Sequence, residues 1–84
     1  MPVKFTLSGY PNANRVILAG SFNGWNEKKE EMKLQNGVWT SMLDLPGGKQ
    51  TYKFIIDGKW ITDPKNPLKE DDGYGNINSV LFVH

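Results

Sequence analysis

Cysteine is absent from this 84-residue chain, and histidine occurs once, at the last position, His84. The first absence excludes a disulfide framework; it fits a reducing compartment and favours the cytoplasm. The second leaves no Ser-His-Asp or Cys-His set to assemble. Neither sign of charge is in excess, since ten basic and nine acidic side chains leave a formal net charge of +1. They are scattered singly or mixed, as in Glu27-Lys28-Lys29-Glu30-Glu31. That pattern provides no basic stripe for nucleic acid and no polybasic anchor for a membrane. The longest wholly apolar stretches, Val16 to Ala19 and Val80 to Val83, are four residues each, whereas a membrane-spanning helix needs about 20. Met1-Pro2-Val3-Lys4 has no signal-peptide pattern.

Catalytic and metal-binding patterns are equally thin. Glycoside hydrolysis needs two carboxylates across a cleft, and most of the acids here fall in turns or mixed-charge stretches. Glu70-Asp71-Asp72 lacks the ligand spacing of a calcium loop. Gly73-x-Gly75 lacks the helix and lysine that complete a phosphate-cradling loop. The expectation is a domain that is not an enzyme and needs no metal or cofactor.

What the chain does have is aromatic side chains and short-period alternation. Three Trp, three Tyr and four Phe are many for a domain that buries only roughly 60–65% of its unfolded surface, so some rings are expected to face outward. Val3, Phe5 and Leu7 alternate with polar neighbours, as do Tyr52, Phe54 and Ile56. Turn signals separate such runs: Tyr10-Pro11-Asn12, Asn23-Gly24, Asn36-Gly37, Pro46-Gly47-Gly48, Asp57-Gly58 and Asp63-Pro64 through Pro67. One all-β domain over 1–84 follows, a sandwich or barrel with strands near 3–8, 14–20, 31–35, 38–45, 50–57, 59–62 and 77–83. Residues 64–76 read as one long loop.

Two hairpins sort the tryptophans. Asp57-Gly58 signals a type I′ turn, which would pair Ile56 with Lys59, Ile55 with Trp60, Phe54 with Ile61 and Lys53 with Thr62. Paired residues share a face and faces alternate, so Trp60 is expected on the outer face near Lys53, with Tyr52, Phe54, Ile56 and Ile61 inside. Asn36-Gly37 would pair Leu34 with Trp39 and Met32 with Ser41, placing Trp39 in the core on a face shared with Leu34, Met32, Leu43 and Leu45. In Ser21-Phe22-Asn23-Gly24-Trp25, Phe22 is expected inside and Asn23-Gly24 to turn the chain. Trp25 then reads equally as a plug at the core rim or a ligand contact.

An outward ring presents a negative π face suited to the C–H groups of a pyranose. Lys53 can donate hydrogen bonds, and Asn76 and Asn78 can donate and accept. Asp71-Asp72-Gly73-Tyr74-Gly75-Asn76-Ile77-Asn78 adds flexible glycines and a tyrosine of exposed type.

Three segments then carry a resemblance over nearly the whole chain. Val16 through Trp25, Leu43-Asp44-Leu45-Pro46-Gly47, and Tyr52 through Trp60 with Asp63-Pro64 resemble the glycogen-binding modules of carbohydrate-binding module family 48. These occur in β subunits of AMP-activated protein kinase and at the N-terminus of branching and debranching enzymes. The resemblance implies an immunoglobulin-like antiparallel β-sandwich that binds α-1,4-glucan, as glycogen, starch or maltooligosaccharide. It implies carbohydrate contacts at Trp25, Lys53, Trp60, Tyr74, Asn76 and Asn78. Tyr74 departs from the family's aliphatic residue and Asn76 from its threonine, which bears on ligand shape. The alternatives are a protein-interaction module of a kinase-type complex and the N-terminal domain of a glucan-processing enzyme, with a catalytic domain as partner.

Overall fold

A computed structural model describes all residues, 1–84. The strands are β1 (Pro2–Leu7), β2 (Val16–Gly20), β3 (Lys33–Gln35), β4 (Val38–Asp44), β5 (Gly48–Ile56), β6 (Lys59–Ile61), β7 (Lys69–Asp71) and β8 (Ile77–Val83). They form two antiparallel sheets, ordered β1-β4-β3 and β2-β5-β8-β7, with β6 also paired to β5. The result is the expected immunoglobulin-like sandwich.

Both hairpin registers are as read from the turns, but the ladders are shorter than expected: β6 ends at Ile61, so Lys53 and Thr62 do not pair, and neither do Met32 and Ser41. Ile56 faces Lys59, Ile55 faces Trp60 and Phe54 faces Ile61, around Asp57 and Gly58 with φ of 49° and 88°. Positive φ at both turn residues matches the right-handed twist of the flanking strands. The Asp57 carboxylate also accepts from the backbone N–H of Asn14 and Arg15, tying this turn to the start of β2. At Asn36-Gly37 (φ 52° and 79°), Leu34 faces Trp39 and Gln35 faces Val38.

The inner faces meet in one core containing Phe5, Leu7, Leu18, Met32, Trp39, Tyr52 and Phe54. Tyr52 stands edge-on to both Phe5 and Phe54, with centroids 5.1 and 5.8 Å apart, a geometry worth about 0.5–1.5 kcal/mol per pair beyond burial. Trp39 is 6% exposed, and its indole N–H donates to the Tyr10 carbonyl at 2.8 Å. The Tyr52 hydroxyl donates to Asp63 at 2.8 Å and accepts from Asn66 at 3.1 Å. Burial pushes this phenol well above its ordinary range, so it stays a neutral donor.

Three expectations are corrected. The segment read as one loop at 64–76 contains β7, Lys69-Glu70-Asp71, paired to β8. It has no apolar alternation because it is an edge strand, where charge blunts association with other chains. The strand expected at 31–35 divides between the sheets. Glu31 bridges to Ile17 on β2, Met32 donates its N–H to Val16, and only Lys33–Gln35 joins β4. The strand expected from residue 14 begins at Val16.

The end of β2 is unusually constrained. A Cβ on Gly20 would lie 2.5 Å from the Thr51 carbonyl and 2.6 Å from the Phe22 ring, so only glycine fits. Gly20→Ala is expected to lower unfolding free energy by about 1–3 kcal/mol, as for overpacked sites, measured by urea denaturation. An unchanged midpoint would show that the backbone moves aside at little cost.

Candidate functional site

The outer face of the five-stranded sheet is built by the pleat of β5. Because Tyr52 and Phe54 point inward, Thr51, Lys53 and Ile55 point outward. Ile55 and, opposite it on β2, Ile17 form with Ala19 a small second apolar cluster on this face. Trp25 packs on that cluster, and Trp60 stands directly across from Ile55 on β6.

Residues 20–25 show how Trp25 gets there. Ser21–Asn23 form a single 3₁₀ turn, and Phe22 packs against the core, although on this turn rather than on a strand. The Asn23 side chain accepts from the Gly20 N–H at 3.1 Å and donates to the Leu18 carbonyl at 3.2 Å, clamping the turn. Reversal then falls on Gly24 and Trp25, with φ of 65° and 60°, one residue later than the sequence signal at Asn23-Gly24. The Trp25 N–H donates to the Gly20 carbonyl at 2.9 Å.

Left-handed backbone at a bulky residue costs on the order of 1–3 kcal/mol. Full burial of a large apolar side chain would return roughly 1.5–3 kcal/mol, but the Trp25 ring is only half-buried. Packing on the apolar cluster therefore offsets part of the strain, and one ring face is kept for something other than the core. That resolves what the local sequence left open: Trp25 is on the outer face beside Trp60. The two ring centroids lie 6.5 Å apart with their planes inclined at 39°, and Trp60 is 39% exposed.

These rings border a shallow concavity of about 680 Å³ lined by Trp25, Thr51, Lys53, Trp60, Glu70, Asp72, Asn76 and Asn78. Five of the six residues singled out from sequence thus meet at one place. The sixth, Tyr74, does not line it; it is 90% exposed at the tip of the β7–β8 loop. Thr51, Glu70 and Asp72 were missed. Thr51 could have been found from the alternation that identified Lys53, since it lies two residues before it. Glu70 became visible only with β7, whose register sets it opposite Asn78.

Asp72 organises the loop. Its carboxylate accepts from the Tyr74 N–H at 2.7 Å, the Asn76 N–H at 3.2 Å and the Asn76 side-chain amide at 2.9 Å. Its own N–H donates to the Asn76 carbonyl. Asn76 is thereby held with one Nδ2 N–H committed to Asp72, its second N–H and its Oδ1 left for other partners. The hydrogen bonds from Tyr74 and Asn76 hold the Asp72 carboxyl below its ordinary value of 3.8. The three neighbouring acids have separate tasks: Glu70 pairs with Lys49, Asp71 accepts from Gly73 and Asp72 fixes the loop. No cluster of three or more His, Cys, Asp or Glu side chains gathers to hold a metal.

The site is therefore two inclined aromatic rings, the Lys53 ammonium, the Asn76 and Asn78 amides, the Thr51 hydroxyl and the Glu70 and Asp72 carboxylates, gathered on one face of the sheet. A family model described as the glycogen recognition site of AMP-activated protein kinase matches residues 1–84. The chain belongs to that family. It is 44% identical over 68 residues to Protein PTST homolog 2, chloroplastic, of Arabidopsis thaliana, covering 80% of this chain and 13% of that protein. Against 5'-AMP-activated protein kinase subunit beta-2 of Homo sapiens it is 40% identical over 68 residues, covering 81% and 24%. Against subunit beta-1 of Sus scrofa it is 34% identical over 82 residues, covering 98% and 63%. The chain thus spans less than two thirds of each of these relatives. A maltogenic amylase from S. marinus shares the fold, with a TM-score of 0.85 at 24% identity over 99% of this chain and 13% of the amylase.

The loop clamp gives a pH dependence of definite sign. A carboxyl whose folded pKa lies below its unfolded value contributes order above the unfolded value and loses it as pH falls through the folded one. The Tyr74 and Asn76 amide NMR shifts should titrate with a midpoint below the ordinary 3.8. A midpoint at or above the ordinary carboxylate value would contradict the clamp.

Proposed function

We propose that residues 1–84 form one carbohydrate-binding module that binds α-1,4-linked glucan without making or breaking a bond. The observation that carries this reading is the meeting of Trp25 and Trp60 with Lys53, Asn76 and Asn78 around a single concavity. A pyranose offers C–H groups to the ring faces and hydroxyls at its edge. Lys53 supplies up to three donors, Asn78 both donors and an acceptor, and Asn76 its free carbonyl oxygen. An α-1,4 chain curves, so rings inclined at 39° meet successive sugars better than coplanar rings would. Tyr74 contributes from the loop tip once a chain extends beyond the concavity. Asp72 acts as a positioning residue for Asn76.

Membership of the glycogen-recognition family supports glycogen, starch or a maltooligosaccharide as the ligand. Relatives named as kinase β subunits support a further role, which is to localise an enzyme carried on the same chain or in the same complex. Affinity for so open a site falls in the micromolar to millimolar range, on the order of −4 to −8 kcal/mol.

Trp60→Ala should weaken binding of maltoheptaose by about tenfold or more in isothermal titration calorimetry. The far-ultraviolet circular dichroism should stay unchanged, because the ring lies outside the main core. Equal affinity of variant and wild type would refute the platform.

A further inference from the structure

Trp60 borders a second concavity as well as the first. About 560 Å³ in volume, it is bounded by Arg15, Ile17, Glu27, Lys28, Ile55, Asp57, Gly58 and Trp60, and shares only Trp60 with the first. The two hollows follow one another along the outer face of β5: Thr51 and Lys53 line the first, Ile55 and the following Asp57 the second. Thr51 to Ile55 is four residue steps along β5, roughly 13 Å at about 3.3 Å per residue, more than a single sugar ring occupies, with Asp57 beyond them in the turn. Ile17 and Ile55, both buried, supply an apolar floor.

The polar rim divides into locked and free groups. The Asp57 carboxylate is taken up by the backbone N–H groups of Asn14 and Arg15, and the Arg15 guanidinium pairs with Glu31 at 3.4 Å. Glu27 and Lys28 are exposed, and neither side chain enters an ion pair. The Lys28 N–H donates to the Asn26 side chain at 2.9 Å, directly after the strained turn at Trp25. An apolar floor with an aromatic wall and one free acceptor and one free donor is the composition a sugar ring calls for.

We infer that this hollow is a second subsite for the same glucan chain, continuing past Trp60, with Glu27 and Lys28 bonding the hydroxyls of its outlying sugars. The inference rests on the glucan-binding reading above. It makes the module a detector of chain length, since a short oligosaccharide fills only the first hollow and a longer one bridges both.

The test is calorimetric titration of the full chain and of a Glu27→Ala/Lys28→Ala double variant with maltotriose and with maltoheptaose. Wild type should favour maltoheptaose over maltotriose. The double variant should keep its maltotriose affinity and lose about three- to tenfold for maltoheptaose, a change of roughly one kcal/mol. Both side chains are exposed, and superposable amide NMR spectra away from residues 26–29 would establish that the variant is folded. If wild type binds both sugars but the variant keeps the full preference for maltoheptaose, or weakens equally for both, the second subsite is overturned and the first stands. If wild type binds neither sugar, the glucan-binding reading itself fails, and the subsite with it.

Discussion

The pleat of β5 is the constraint on which everything else depends. With Asp57 and Gly58 both at positive φ, the β5–β6 hairpin can close in only one register, and a slip of one residue would exchange its two faces. That register sends Tyr52 and Phe54 into the sandwich and leaves Thr51, Lys53 and Ile55 outside, with Trp60 across from Ile55. The same strand therefore supplies the aromatic ladder of the core and the floor of the site. Site and stability are coupled through this backbone and through Trp25, whose ring both lines the site and packs on the outer apolar cluster.

A second device acts at the end of β2. Gly20 allows the chain to pass close to Thr51 and Phe22, Asn23 clamps the turn, and Trp25 takes a left-handed conformation. Each residue of Gly20-Ser21-Phe22-Asn23-Gly24-Trp25 thus has a separate physical task. Ser21 also belongs here, its hydroxyl accepting from the Thr51 N–H at 3.1 Å. The combined effect is to bring a ring from one edge of the sheet to within 6.5 Å of a ring from β6. Neither ring needs to move to form the surface, so binding would not carry the cost of ordering a loop. On the other rim, Asp72 performs the corresponding service for Asn76.

Much of this was legible in the sequence where local rules decide the outcome. The dipeptides Asn36-Gly37 and Asp57-Gly58 specify hairpins, so Trp39 inside and Trp60 outside followed from counting. Strand β7 was not legible, because a three-residue charged edge strand carries no hydrophobic period and exists only through its ladder with β8. The division of residues 31–35 between two sheets was hidden for a similar reason: Met32 is an ordinary strand residue locally, and only tertiary packing decides which sheet its neighbours join. Leu34 shares Trp39's face as expected, yet remains 43% exposed, because β3 is an edge that nothing covers. The tasks of Asp57 and Asp72 lie in side-chain bonds to backbone N–H groups, which residue type permits but spacing does not reveal. The position of Trp25 depends on positive φ at a residue type that seldom adopts it.

The most direct test of the central claim, that the outer face of the β2-β5-β8-β7 sheet is the glucan surface, is an NMR titration of the isotope-labelled chain with maltoheptaose. The account predicts that the indole N–H signals of Trp25 and Trp60 and the amides of Lys53, Asn76 and Asn78 shift together along one binding isotherm. The indole of Trp39 and the amides of Lys4, Thr40 and Met42 on the opposite sheet should stay in place. Saturating shifts confined to the β1-β4-β3 sheet, with both outer tryptophans unmoved, would contradict it.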